Sequence, residues 1–243
     1  MNNITSTVPD LKNDNTNKIG FYAALIMAVL TIITLSIAVM TPPLSGPFCK
    51  GSCFKYPYAD ITARFPRDYV WMYPAMLLTL LFLVVIACIH RQAPEEKKIF
   101  SLLGVLFSAM SASVLVADYF LQVSVIQQSL LQAEKDGLAL LTQYNPHGIF
   151  IALEDLGYLL MSLAFICLVP VFSVSCKTEK TLRWLFIGNF SLSLISLALI
   201  SAIYGINREY RFEVAVISFN WLTLIVFGIL MSGIFRRNMQ KSV

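Results

Sequence analysis

An all-α bundle of six membrane-spanning helices is the fold class this sequence predicts, on three observations. Only 13% of the 243 residues are Asp, Glu, Lys or Arg, about half the share usual in a soluble protein. Apolar residues make up 57%, and the mean hydropathy is +0.71. Six stretches reach the roughly 20 predominantly apolar residues that a helix needs to cross a bilayer, and none alternates as an outer-membrane barrel strand would. The balance excludes a soluble enzyme and a disordered chain, and it leaves no basic soluble module to bind nucleic acid.

The first span, 20–41, follows a polar, Asn-rich stretch, 1–19, read as a flexible cytoplasmic tail. Thr41-Pro42-Pro43 follows it without a small-residue cleavage site, so the span is expected to be retained rather than removed as a signal peptide. The second span, 69–89, ends on His90 and Arg91, which cap it. In the third, 99–125, Gly104, Ser108, Ser111, Asp118 and Gln122 share one face at helical periodicity. Small residues on such a stripe let a neighbouring helix approach closely, so this span is expected to be the central one. The fourth, 148–173, follows the turn Asn145-Pro146-His147-Gly148 and carries Glu154 and Asp155 near its start, with Tyr158 and Ser162 on the Glu154 face. The fifth, 182–204, holds Asn189, and the sixth, 212–235, begins with Glu213 and has Asn220 on the same face. Residues 20–237 thus form one membrane domain, and 238–243 a short cytoplasmic tail.

Six spans put both termini on one side. That side carries eleven basic residues (Lys12, Lys18, Arg91, Lys97, Lys98, Lys177, Lys180, Arg183, Arg236, Arg237 and Lys241) against seven on the other. The positive-inside rule makes it the cytoplasm, which suits a plasma membrane, and a bacterial cytoplasmic membrane in particular. Cys49 and Cys53 then fall in an outer loop, where an oxidising exterior permits a disulfide that staples the loop. Cys88, Cys167 and Cys176 read as small packing residues. The same loop is rich in aromatic residues and proline, and reads as an interfacial belt or as a lid over the bundle.

Ionisable groups within spans are costly and mark places where function concentrates. Span 3 runs outward, so Asp118 lies about 28 Å along it, near the outer interface. Spans 4 and 6 run inward and place Glu154, Asp155 and Glu213 at similar depth. The structural alternative is that these acids serve the helix N-termini and pair with Arg208, Arg211, Arg64 or Arg67 at the rim. The functional alternative is an outward-facing acidic pocket for a cation, a proton or a small ligand, built from Asp118, Gln122, Glu154, Asp155, Glu213 and Asn220. No metal site assembles from the spacing of the two histidines, and no cofactor fingerprint or catalytic motif is present.

Three uses of such a chain compete, with the lipid bilayer as the common partner. The leading one is a non-enzymatic protein with a transport or ligand-linked role. The second is an intramembrane enzyme acting on a lipid-like substrate through Asp118 and Glu154. The third is an accessory or assembly protein with no small-molecule site. Transport predicts a polar cavity running from Asp118 towards Asn220 and Asn189. An enzyme predicts acids converging beside a lipid-open groove, and an accessory protein predicts fully paired acids and no cavity.

Overall fold

The computed structural model describes residues 8–41 and 43–241. Among them are eight α-helices and no strand: α1 Val8–Val39, α2 Met72–Gln92, α3 Lys98–Leu121, α4 Gln127–Leu131, α5 Leu138–Leu141, α6 Ile149–Leu168, α7 Lys177–Tyr204 and α8 Tyr210–Lys241. Six of the helical segments are long and apolar enough to cross a membrane, an architecture compatible with a multi-pass membrane protein.

The helix ends depart from the hydropathy limits for physical reasons. The tail expected over 1–19 is helical from Val8 onward rather than a flexible head, because a nucleated helix extends at one hydrogen bond per residue; residues 1–7 lie outside the described residues. At the other terminus α8 takes in 238–241, and the last two residues lie outside the described ones. The fourth span stops at Leu168 rather than 173. Pro170 has no N–H to continue the ladder, and the chain tightens into bonds from Val169 N to Ile166 O and from Val171 N to Leu168 O. Span 3 runs on through a π-turn, Gln122–Ile126, into α4. Gly137, at φ +77°, then supplies the left-handed turn that folds α5 back.

The helices pack in a ring, α1–α2–α3–α6–α7–α8 and back to α1, with α6 also meeting α8. Glycines set the closest approaches. A Cβ on Gly228 would lie 2.6 Å from the Ala24 carbonyl oxygen, and one on Gly20 would lie 2.6 Å from the Phe235 ring. The start of α1 therefore lies against the end of α8, and both termini share one end of the bundle, here the terminal end; the other is the loop end. The small-residue stripe of α3 packs as its sequence implies: Ser111 Oγ donates to Gly157 O at 2.7 Å, and a Cβ on Gly157 would fall 2.5 Å from the Leu115 side chain. The helix at the centre is α6 rather than α3. Of α6's most apolar window 56% is buried, against 33% for the third span, because α6 has α3, α7 and α8 around it.

In the terminal half the core is aromatic: Phe165 stacks on Phe186 at 4.8 Å, meets Phe227 edge-on and packs at a tilt against Phe82. Arg183 closes the end of α6 by donating to Val169 O and Phe172 O at 2.8 and 3.0 Å. His90 Nδ1 bonds Ser101 Oγ at 2.8 Å and ties α2 to α3. Outward-facing Ile33, Leu80, Leu106, Ile195 and Ile229 form an exposed apolar belt of the kind that lipid covers. At the loop end, residues 43–71 lie back on the bundle, with Ile61 and Tyr58 buried and Cys49 joined to Cys53 by a disulfide.

Candidate functional site

Glu154, fully buried on α6, is the centre of the polar groups at the loop end. Its Oε1 accepts a hydrogen bond from Tyr119 Oη at 2.7 Å. Tyr119 Oη lies 2.9 Å from Tyr158 Oη, which accepts from Trp221 Nε1 at 2.9 Å. The residues come from α3, α6 and α8, and the α3–α6 approach at Gly157 is what lets Tyr119 reach Glu154. An indole N–H only donates, and Tyr119 gives its proton to Glu154, so Tyr158 must donate to Tyr119. Three donors thus run in series toward one carboxyl, an arrangement in which each bond strengthens the next.

The carboxyl of Glu213, from α8, stands within hydrogen-bonding reach of Glu154. Two carboxyls in such contact need one proton between them. Asp118 is buried within electrostatic reach of Glu154, and its Oδ2 has no hydrogen-bond partner. Asp118, Glu154 and Glu213 thus come near one another from three helices, α3, α6 and α8.

Beside them lies a cavity of about 350 Å³. Glu213 is on its wall, and Trp71 and Trp221, with ring centres 6.2 Å apart, line it towards the tyrosine network. Phe150 and Ile151 of α6 add apolar wall. At its loop side are Asp68, Gln143, Tyr144 and Tyr210. Tyr144 Oη donates to Asp68 Oδ2 at 2.8 Å, and Tyr210 Oη donates to Gln143 O at 2.9 Å. Burial, with Tyr69 and Asp68 adjacent, holds the Tyr144 hydroxyl well above the usual phenol range, so it stays the donor to Asp68.

The other residues singled out from sequence sit elsewhere. Gln122 pins the α5 turn: its Nε2 donates to Leu141 O at 2.5 Å, and its Oε1 accepts from Gln143 N at 3.0 Å. Asn220 joins α8 to α6, with Nδ2 bonded to Ser162 Oγ at 3.1 Å, Tyr158 O at 3.3 Å and Val216 O at 2.9 Å. Ser162 reaches Ser193 of α7, and Asn189 bonds Thr223 at 3.1 Å. These are interhelical ties of a kind common in membrane bundles, and neither Asn220 nor Asn189 is among the residues lining the cavity. Asp155 feels the charge of Arg208 at the rim. His147 faces Glu209 at 3.7 Å rather than Glu154. Among the described residues no group of three or more His, Cys, Asp and Glu side chains is arranged to hold a metal ion.

Sequence reasoning did not single out Asp68, Trp71, Tyr119, Tyr144, Tyr210 or Trp221. The aromatic density of 48–73 was the available signal for Trp71, and the proximity of Tyr119 to Asp118 was another. The chain matches no family model, no curated protein and no solved structure. The site's own chemistry is that of an aromatic, mostly apolar hollow with two wall carboxyls, Asp68 held by Tyr144 and Glu213 backed by the buried Glu154 on a fixed network.

Proposed function

We propose that this is a multi-pass membrane protein that binds a small organic ammonium ligand, non-enzymatically, in a ligand-linked role; the polar path from Asp118 to Asn220 and Asn189 that transport predicts is not part of the cavity lining. The observation that carries the reading is Glu213 on the wall of a cavity whose other prominent groups are Trp71 and Trp221. The Glu213–Glu154 pair, with one proton between two carboxyls, supplies one negative counter-charge, and indole faces attract a cation through their quadrupole. An ammonium ion is favoured over a metal because the lining offers aromatic area rather than a set of converging oxygen ligands. The volume is at the small end of the roughly 300–1,000 Å³ range of ligand pockets.

The test uses the protein's own fluorescence. There are three tryptophans, and Trp184 is 65% exposed at the terminal end. In a Trp184→Phe variant all indole emission comes from Trp71 and Trp221. Titration with tetramethylammonium and a series of primary amines is expected to give a saturable change in that emission. A flat response through the series counts against the reading.

The proposed setting is a bacterial cytoplasmic membrane with both termini inside and the cavity in the outer half of the bundle, on the strength of the basic-residue asymmetry. Cys176 provides the test. It precedes α7, where backbone N–H groups of Glu179 and Thr178 lower its thiol below the usual range, while Cys88 is buried and Cys167 lies within α6. A membrane-impermeant maleimide is expected to label Cys176 in inverted vesicles and to spare it in right-side-out vesicles. The opposite pattern reverses the topology.

An enzyme acting on a lipid-like substrate through Asp118 and Glu154 is the second reading, favoured by the contact of the Glu154 and Glu213 carboxyls beside a cavity. Recovery of a bound ligand chemically unchanged after prolonged incubation separates binding from turnover.

A further inference from the structure

Resting on the ammonium-binding reading, we infer that the cavity takes its ligand from the lipid, through a cleft between α1 and α8, and that the ligand is an amphiphile with one alkyl chain and an ammonium head.

The loop side of the cavity is strapped shut. Ser45 Oγ donates to Tyr144 O at 2.6 Å and lies 2.6 Å from Tyr210 Oη, which itself bonds Gln143 O. One serine thus joins the first loop, the connection before α6 and the start of α8. The ring of Phe54 packs on Tyr144 at 5.2 Å, and Gly46, at φ +63°, sits so close to Tyr210 that a Cβ would fall 2.7 Å from its ring. Passage from water here requires breaking several buried contacts together.

The flank is different. Where α1 and α8 meet near Ala24 and Gly228 they touch backbone to backbone. Their antiparallel run next brings Leu35, Ala38 and Val39 opposite Val214, Ile217 and Ser218, and all six line the cavity. The two helices that close the ring at the terminal end leave a gap at the loop end. Val39 is 74% exposed and Val214 41%, and both belong to membrane-crossing segments. The gap therefore faces lipid.

Its chemistry selects the occupant. Five of the six cleft residues are apolar, and Ser218 spends its hydroxyl on Val214 O at 2.7 Å. Of the two wall acids, Asp68 is engaged by Tyr144 and Glu213 is left to meet a cationic head. A hollow of about 350 Å³ holds a head and the first part of a chain, so the rest of the chain lies between α1 and α8 and out into the bilayer.

The experiment is photolabelling of the wild-type protein in phosphatidylcholine nanodiscs. The probe is an alkyltrimethylammonium with a diazirine in mid-chain, and excess tetramethylammonium is the competitor for the head site. The expected label lies on peptides spanning 35–39 and 214–218, falls at least tenfold with competitor, and falls equally in Glu213→Gln. Competed label on 43–58 or 143–147 instead would place entry on the water side and overturn the inference, with ammonium binding intact. Label that ignores both competitor and Glu213→Gln overturns the ammonium reading and the inference with it. Filling the cleft with Ala38→Phe adds a second arm: the long-chain probe is expected to weaken at least tenfold and tetramethylammonium less than threefold. Equal effects on both probes, or no effect on either in a normally folded variant, overturn entry through the cleft.

Discussion

Glu213→Gln is expected to weaken binding of an organic ammonium ion roughly 30-fold, about 2 kcal/mol, while leaving the fold intact. The pair of carboxyls carries one negative charge, which Glu213 presents on the cavity wall, and an amide of the same shape confines that charge to the buried Glu154 without opening a hole. Stability should hold or rise, for a specific reason. Glu154 and Glu213 can bond each other only by sharing a proton, and an amide at 213 can donate to Glu154 with no proton to be shared. A titration of the Trp184→Phe background with tetramethylammonium, set beside a thermal melt in the same detergent, checks both halves. Loss of binding together with a lower melting temperature would make Glu213 a structural residue and remove it from the site.

Gly228→Val should have the largest effect on stability of any single change considered. The new side chain would start 2.6 Å from the Ala24 carbonyl oxygen and 2.9 Å from Ala28 Cβ. A backbone oxygen cannot swing aside as a flexible side chain can, so α1 must move away from α8. The cost belongs at the upper end of the roughly 1–3 kcal/mol typical of overpacking, or beyond it. Gly233→Val is the control on the same helix, since nothing lies within 4 Å of its added Cβ. Thermal unfolding of the two variants is expected to show a large drop for position 228 and none for 233. Equal melting temperatures would mean that α1 and α8 do not pack at this register.

Much of the fold was legible because lipid imposes so simple a rule. A helix must be apolar for its whole crossing, so six apolar stretches announce six helices, and counting along each one gives the depth of every acid in it. That is how Asp118, Glu154 and Glu213 were placed together. Helix ends are less legible, because hydropathy falls at the polar residues preceding Ile19 while the helix runs on through them to Val8. Partners were not legible at all. Tyr119 meets Glu154 only because Gly157 lets α3 and α6 approach, and Asp68 reaches the cavity only because its loop folds back onto Tyr144. Gln122 and Asn220 show the converse. Each is a polar side chain at a telling position, and each is occupied in holding backbone or helices together.

The hydrogen-bonded row behind the cavity has a direction, and the direction sets a limit. Trp221 gives to Tyr158, Tyr158 to Tyr119 and Tyr119 to Glu154. A proton can hop along such a row only if the far end can take one up or let one go to a neighbour. The indole at the far end has a single N–H and no lone pair to accept with. The row is therefore a dead end for protons, an insulator rather than a wire. Any proton shared by Glu154 and Glu213 has no exit along it toward the terminal end, and its exchange runs through Glu213 and the cavity.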